Sequence, residues 1–144
     1  MTEPDIESRV RASFGKQRFM ATIGATIERV APGEVDIALA FDEAVTQQHG
    51  FVHAGALATV ADSACGYAAL SMMPGDAAVM SVEFKINMLA PAEGPRLVAR
   101  GRVVRSGRTL TVCRADVFSV KPDGEKLVAT MQGTMMAVRG RGGD

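Results

Sequence analysis

The residue of this sequence best suited to chemistry is Asp62, a lone carboxylate in a long apolar segment. Residues 53–73 are rich in alanine, and their apolar positions recur at the spacing of a helix that buries one stripe. A carboxylate there costs free energy unless it has a use. Ala58, Ala61 and Cys65 would partly desolvate it, which raises its pKa and makes it a better proton acceptor. The alternative is a solvated aspartate on an exposed stripe.

A polar, glycine-containing turn over residues 47–55 precedes this helix and supplies further candidate groups. Ala54 and Gly55 fall in the first helical turn, where backbone N–H groups lack helical acceptors and the helix dipole is positive. His49 and His53 lack the single helix, the glutamate and the third ligand of a zinc motif, so we expect no metal. We expect His53 to hold the loop through its ring and His49 to fix the turn.

The rest of the chain predicts the elements that position these groups. Residues 4–14 form an N-terminal helix lying on the body, and residues 22–30 and 34–41 form a hairpin across Pro32 and Gly33. Pro74 and Gly75 end the long helix. Four further antiparallel strands are predicted at 79–89, 96–105, 109–120 and 126–138.

Alternation along two of these strands predicts which face is buried. In the second strand the apolar face comprises Val35, Ile37, Leu39 and Phe41, and the wet face Glu34 and Asp36. In the strand at 79–89 the core face comprises Met80, Val82, Phe84, Ile86 and Met88, which leaves Ser81 on the other face. Six strands around one long helix predict an α+β domain, a curved antiparallel sheet wrapped around a central helix.

Composition limits the classes of function. The 144 residues are 47% hydrophobic with a formal net charge of zero, which predicts one domain and excludes a basic surface for nucleic acid. Polar residues interrupt the long helix, so we expect no membrane span. No signal peptide is evident, and we expect a cytoplasmic protein. Cys65 and Cys113 have no metal-type spacing and are expected to be buried thiols without a disulfide.

In this arrangement, the run His53-Ala54-Gly55 with Asp62 nine positions after the histidine resembles the hotdog-fold acyl-CoA thioesterases of the phenylacetyl-CoA (PaaI-like) type. The hallmark of that family is His-Gly-Gly with a downstream Asp or Glu on the hotdog helix. The resemblance covers residues 14–138 and includes the segments 80–83 and 105–110. It implies one hotdog domain over 1–144, with an N-terminal helix in 1–15 and a flexible tail at 139–144.

The resemblance also implies roles for individual residues. Asp62 would be the general base that activates water or the nucleophile that attacks the thioester, and the motif leaves both open. The Ala54 and Gly55 amides would form an oxyanion hole, with alanine where the family usually has glycine. Gln47 would orient the carbonyl or a water, or merely satisfy its turn. Ser81 would help to place the water, or be an ordinary strand serine. The backbone of His53 would lie near the thioester.

Other implied features concern the substrate and the assembly. Arg105 and Arg108, beside Gly107 and with Arg102 nearby, would grip the phosphates of CoA, unless they are simply solvated. Gly66 stands where some relatives carry a threonine of the site. No cofactor is implied. A homodimer, pairing again into a homotetramer, would place the active sites at the dimer interface, with Asp62 of one chain facing Gln47 and the Ala54-Gly55 turn of the other.

The function expected from these features is hydrolysis of an aryl- or medium-chain acyl-CoA to free acid and CoA. Two alternatives remain, a hotdog enoyl or 3-hydroxyacyl thioester hydratase-dehydratase and a noncatalytic acyl-CoA binding protein. The sequence has no Gly-x-Ser-x-Gly elbow, P-loop or dinucleotide fingerprint, which removes other common enzyme classes.

Overall fold

An antiparallel sheet of six strands wraps one central helix in the computed structural model, which describes residues 2–140. The strands lie in the order β1-β2-β4-β5-β6-β3. This confirms the predicted α+β arrangement. The elements in chain order are α1 (Glu3–Lys16), α2 (Arg18–Ile23), β1 (Ala25–Ala31), β2 (Glu34–Ala40), a 3-10 turn (Glu43–Val45), α3 (Ala54–Leu70), β3 (Ala78–Met88), β4 (Arg96–Ser106), β5 (Leu110–Lys121) and β6 (Gly124–Val138).

Helix α3 forms the core because its small residues let the sheet approach its backbone closely. A Cβ added to Gly101 of β4 would collide with the carbonyl of Ala64, so only glycine fits where the strand crosses the helix. None of the helices in residues 2–140 is long and apolar enough to cross a membrane. The whole predicted stripe is buried, at Leu57, Val60, Ala61, Ala64 and Ala68.

Helix α1 contacts the C-terminal end of α3. It corresponds to the N-terminal helix predicted at 4–14 and spans residues 3–16. Helix α3 ends at Leu70 rather than at residue 73, since the N–H groups of Met72 and Met73 donate to carbonyls three residues back instead of four. Ser71 Oγ also donates to the Ala68 carbonyl at 2.6 Å. The guanidinium of Arg9 donates to four carbonyls at this end, those of Leu70, Met73, Pro74 and Ala77, at 2.7 to 3.3 Å. Helix α1 is therefore fixed to the body.

Two details of the first hairpin differ from the prediction. The strand predicted at 22–30 begins only at Ala25, because α2 continues to Ile23 and ends at Gly24 with φ +78°. Phe41, predicted to be buried, lies beyond the end of β2 and is 40% exposed. Asp36, predicted to face water, is only 8% exposed, because β2 lies between two strands whose arginine side chains surround it.

Strand β3 lies at the edge of the sheet and contains a bulge that the alternation did not predict. Its register with β6 shifts between Ser81 and Glu83, so Val82 is an extra residue and the faces exchange there. Ser81 pairs with the buried Met135 and therefore faces the helix. Beyond the bulge, Phe84, Ile86 and Met88 pair with buried positions of β6, so they lie on the predicted face. Their predicted burial holds only in part, because β3 is the edge strand: Phe84 and Met88 are 43% exposed, and Val82 at the bulge is 53% exposed. The predicted placement of Met80 on that face and of Ser81 on the other was wrong.

The predicted tail falls partly outside the described residues. Strand β6 ends at Val138, and Arg139 donates a hydrogen bond to the Arg108 carbonyl at 2.9 Å. Residues 141–144 of the predicted tail lie outside the part of the chain that the structure describes.

Candidate active site

Asp62 lies half-buried on α3 and binds a hydroxyl of the edge strand. Ser81 Oγ donates to Asp62 Oδ1 at 2.7 Å and lies 3.3 Å from Met135 Sδ. Burial raises the pKa of Asp62, and the hydrogen bond from Ser81 opposes that rise. Within residues 2–140, Oδ2 of Asp62 receives no hydrogen bond. A carboxylate with a raised pKa and one oxygen left over is suited to take a proton from water.

The first turn of α3 offers one backbone donor rather than two. His53 is the N-cap residue, and its Nδ1 accepts the Gly55 N–H at 2.8 Å, so the ring carries its proton on Nε2. The Ala54 N–H has no acceptor among the described residues. Ala54 also has no positive φ, so its methyl group causes no backbone strain. Of the two backbone amides predicted to form an oxyanion hole, only that of Ala54 is available, because the Gly55 amide binds His53. His53 holds the loop through its ring, as predicted.

Gln47 is part of the turn that leads into this helix, and its side chain is only half committed. Gln47 Oε1 accepts the His49 N–H at 2.5 Å, and the Gly50 N–H closes the turn on the Gln47 carbonyl at 3.0 Å. Gly50 has φ +84°, a conformation that favours glycine. The side-chain Nε2 of Gln47 makes no hydrogen bond within residues 2–140. Gln47 therefore satisfies its turn and still presents an N–H donor.

The predicted site residues lie in two separate clefts of one chain. Asp62 and Ser81 line a cleft of about 410 Å³ near the start of β3. Gln47, His53 and Ala54 line another of about 480 Å³, which also includes Met88 at the end of β3. Along α3, Ala54 and Asp62 are separated by a rise of about 12 Å. A single chain therefore holds the carboxylate and the helix N-terminus apart, at opposite ends of one edge strand.

The predicted CoA-binding hairpin joins β4 and β5. The Gly107 N–H donates to the Leu110 carbonyl at 2.9 Å, and a Cβ at this glycine would collide with that oxygen, so the turn itself requires glycine. Arg105 and Arg108 are exposed and form no ion pair within residues 2–140. Arg102 differs, because its Nη1 lies 3.7 Å from Asp36 Oδ1 on the outer face of the sheet.

This hairpin lies at the same end of the sheet as Asp62. The Ala137 N–H donates to the Thr109 carbonyl at 2.8 Å, and Ala137 also pairs with Val79 in β3. Val79 lines the cleft of Asp62. The two exposed arginines and the carboxylate are therefore separated by the width of β5, β6 and β3 rather than by the length of the sheet.

The histidines and cysteines contribute no metal centre to this site. Among residues 2–140, no group of three or more His, Cys, Asp or Glu side chains could hold a metal ion. Cys65 and Cys113 are free, as predicted, and both are buried. Desolvation raises the pKa of both thiols, to about 12 for Cys113.

Sequence reasoning missed a polar group at the far end of the Asp62 cleft. Ser13, Gln17 and Tyr67 line it together, and Gln17 Nε2 donates to Tyr67 Oη at 2.6 Å. No role was predicted for Tyr67, which is buried. The available signal was chemical, since the hydroxyl of the only tyrosine in the chain needs a partner when it is buried.

Comparison with known protein families identifies the superfamily to which the chain belongs. Residues 49–126 match the family model described as Thioesterase superfamily. The chain belongs to this superfamily. The matched region contains α3 with Asp62 and runs through β3, β4 and β5, so it includes most of the candidate site. The predicted relationship to the hotdog-fold thioesterases is confirmed, as is the predicted class of enzyme, a thioester hydrolase.

Individual members of the thioesterase superfamily resemble the chain over most of its length. A crystal structure of a thioesterase family protein from Silicibacter pomeroyi is 51% identical, covers 94% of this chain and 99% of that one, and superposes with a TM-score of 0.91. Acyl-coenzyme A thioesterase 13 of Homo sapiens is 30% identical over 83% of this chain and 85% of its own. The PaaI protein of E. coli, from the phenylacetic acid degradation operon, is 20% identical, covers 96% of both chains with a TM-score of 0.85, and shares the fold.

Proposed function

We propose that the protein hydrolyses an aryl- or medium-chain acyl-CoA thioester to the free acid and CoA. The observation that carries the proposal is the hydrogen bond of 2.7 Å from Ser81 to the partly desolvated Asp62, in a chain of the thioesterase superfamily. A carboxylate oriented by a hydroxyl and poised with a raised pKa is a general base for water.

The proposed reaction is attack on the thioester carbonyl. Asp62 takes a proton from water, the resulting hydroxide adds to the carbonyl carbon, and the carbonyl oxygen becomes an oxyanion. The Ala54 N–H at the positive end of α3 and the free Nε2 of Gln47 would stabilise this oxyanion, and His53 would hold the loop that presents them. Collapse breaks the C–S bond and expels the CoA thiolate, which takes up the proton that Asp62 had accepted and so restores the carboxylate. In the alternative route Asp62 itself attacks the carbonyl carbon, the C–S bond breaks and the CoA thiolate leaves, and water then hydrolyses the resulting anhydride to the free acid and the Asp62 carboxylate.

The proposed reaction requires two chains, because one chain separates its donors from its base. Strand β3 is an edge strand with exposed apolar side chains, among them Met80, Val82 and Phe84. Antiparallel pairing of β3 with a second copy would bring the start of one β3 beside the end of the other. Asp62 and Ser81 of one chain would then face Gln47 and Ala54 of its partner. We propose this homodimer of single-domain chains, pairing again as a dimer of dimers.

The CoA moiety would extend toward the hairpin between β4 and β5. Arg105 and Arg108 lie at the end of the sheet that holds Asp62, and neither is committed to a carboxylate of its own chain within residues 2–140. Guanidinium groups bind phosphate oxygens in a bidentate geometry. Gly107 keeps the turn tight between them. The buried, unpaired cysteines fit a cytoplasmic protein, which would meet acyl-CoA there.

The test is release of CoA from a panel of aryl, short, medium and long acyl-CoA esters, followed with a thiol reagent. Turnover of one or more esters supports the proposal. CoA binding with hydration of a 2-enoyl ester and no CoA release would replace it with the hydratase function.

A further inference from the structure

Of the four lysines of the chain, only Lys16 lines the cleft of Asp62. Lys85 lies in β3, Lys121 forms an ion pair of 2.7 Å at the end of β5, and Lys126 lies in β6. The side chain of Lys16 forms no hydrogen bond and no ion pair within residues 2–140. An amine in a cleft that receives a thioester is a second nucleophile beside water, one that the hydrolysis itself does not use.

The end of α1 carries Lys16 to this cleft and is fixed there by Tyr67 of α3. Gln17 Nε2 donates to Tyr67 Oη at 2.6 Å, and Ser13 Oγ lies 3.1 Å from the same oxygen. These two residues flank Lys16 in the chain. The backbone of Lys16 therefore lies beside the turn of α3 that contains Tyr67.

The distance from this turn to the carboxylate is within reach of a lysine side chain. Helix α3 rises about 7.5 Å from Asp62 to Tyr67, and the four-carbon stem of a lysine places its amine about 6 Å from Cα. Gly66 lies between the two residues and leaves the wall open, since a Cβ there would meet only Met135 Sδ, at 4.0 Å. The amine of Lys16 can therefore approach a thioester carbonyl that lies beside Asp62.

Resting on the proposed thioesterase function, we propose that bound acyl-CoA also acylates Lys16, so that the protein modifies its own cleft. The neutral amine attacks the thioester carbonyl carbon, the C–S bond breaks, and the proton lost by the nitrogen passes to the CoA thiolate. The products are an N-acyl lysine and CoA. Lysine amines are mostly protonated near neutral pH, so this reaction is slow compared with hydrolysis. The acyl-lysine carries no charge and occupies the cleft, which blocks further turnover.

Proximity distinguishes Lys16 from the other lysines. A group held in the same cleft as the bound thioester reacts at an effective concentration far above that of acyl-CoA in solution. Lys85 and Lys126 are also exposed but line neither the cleft of Asp62 nor that of Ala54, so they meet acyl-CoA only by collision. In the unfolded chain there is no cleft, and the advantage of Lys16 should disappear.

Peptide mass spectrometry on the Asp62→Asn protein tests the proposal, because this variant keeps the shape of the cleft and leaves the thioester unhydrolysed. After incubation with phenylacetyl-CoA or hexanoyl-CoA, whichever binds more tightly, we expect acylation of Lys16 to exceed that of Lys85 and Lys126 by at least about tenfold. The same incubation in guanidinium should remove the preference. A smaller preference in the folded protein, or one that survives unfolding, would overturn the proposal.

Activity measures the consequence of the modification. During prolonged turnover the native protein should lose activity in step with acylation of Lys16, as measured after gel filtration to remove CoA. Lys126→Arg, remote from the cleft, should lose activity at the native rate. Lys16→Arg should keep its own initial rate, because a guanidinium stays protonated and does not attack the thioester. Loss of activity by Lys16→Arg at the native rate would overturn the proposed inactivation.

The amount of CoA that the native protein releases separates this proposal from the proposed function. Many turnovers without acylation of Lys16 would leave the thioesterase function standing and remove the self-acylation. Acylation of Lys16 with no more than one equivalent of CoA released would do the reverse, since the amide accounts for that single equivalent.

Discussion

Ser81 on β3 donates its hydroxyl to Asp62 on α3 at 2.7 Å, although simple alternation along β3 would turn the serine away from the helix. The extra residue at Val82 shifts the register with β6. As a result, odd-numbered Ser81 faces the helix before the bulge, whereas even-numbered residues such as Phe84 occupy that face after it. Bulges often occur beside active sites, where they redirect a side chain. Here the bulge brings a hydrogen-bond donor to the candidate base.

Replacing Ser81 with alanine should move the acid limb of the pH profile. The hydrogen bond lowers the pKa of Asp62 against the effect of burial, so its loss raises that pKa further. The base is active when ionised, so kcat/KM should fall more at low pH than at high pH, and the acid limb should shift upward. Ser8→Ala, at an exposed position on α1, is the matched control. An unchanged acid limb with a uniform loss would mean that Ser81 does not act through the ionisation of Asp62.

Two glycines should respond oppositely to alanine. Gly101→Ala places a methyl group against the carbonyl of Ala64, where backbone must move, and should destabilise the protein by about 1–3 kcal/mol. Gly66→Ala adds its methyl group within α3, where its nearest neighbour would be Met135 Sδ at 4.0 Å, an ordinary contact, and should stabilise by up to about 1 kcal/mol. Denaturant midpoints measure both. Equal midpoints for the two variants would show that β4 does not lie directly on the helix.

The cysteines should not react with a thiol reagent in the native protein. Cys65 and Cys113 are buried, and desolvation raises the pKa of each thiol, so little thiolate forms at pH 8. We expect no labelling of native protein and two equivalents after denaturation in guanidinium. Rapid labelling of one native thiol would mean that the core opens readily, and it would also add a background to CoA-release assays.

Mixing two inactive variants should restore activity if the site is shared between chains. A mixed dimer of Asp62→Asn with Gln47→Leu has both substitutions in one site and neither in the other. Random re-pairing should therefore return about a quarter of native activity, because half of the pairs are mixed and each has one intact site. The measurement is CoA release before and after the two variants are denatured and refolded together. No recovery would place the whole site within one chain.

The sequence predicted the parts of this fold that repeat and missed those that depend on local exceptions. The spacing of Leu57, Val60 and Ala64 predicted α3, because burial of one stripe leaves a periodic pattern. The bulge at Val82 leaves no such pattern, since one inserted residue looks like continued alternation. The predicted face of Ser81 was therefore wrong, although the resemblance to the family had already indicated Ser81 as a site residue.

The candidate site shows the same division. Asp62 could be identified as a candidate from the sequence, because it is a lone carboxylate in an otherwise apolar helix. The use of the Gly55 amide by His53 Nδ1 was not, since it depends on the rotamer of the cap residue. Nor was the polar end of the cleft, where Gln17 and Tyr67 meet across 50 residues of sequence.

Asp62→Asn keeps the shape of the side chain and should fold at least as well as the native protein. Burial raises the pKa of the Asp62 carboxyl group above its value in the unfolded chain. The group therefore adds to the stability of the folded state at pH below its unfolded pKa, and this added stability is lost as the pH rises through the folded pKa. Asparagine does not ionise, so the variant should have the higher Tm at pH 8, with a smaller difference at pH 4.

The most direct test of the central claim is kcat/KM for CoA release by Asp62→Asn, compared with native protein on the best substrate of the panel. We predict a loss of about a hundredfold or more, the usual contribution of a general base, in a variant that stays folded and binds the thioester. Native-like turnover by this variant would contradict the assignment of Asp62 as the residue that activates water or attacks the thioester.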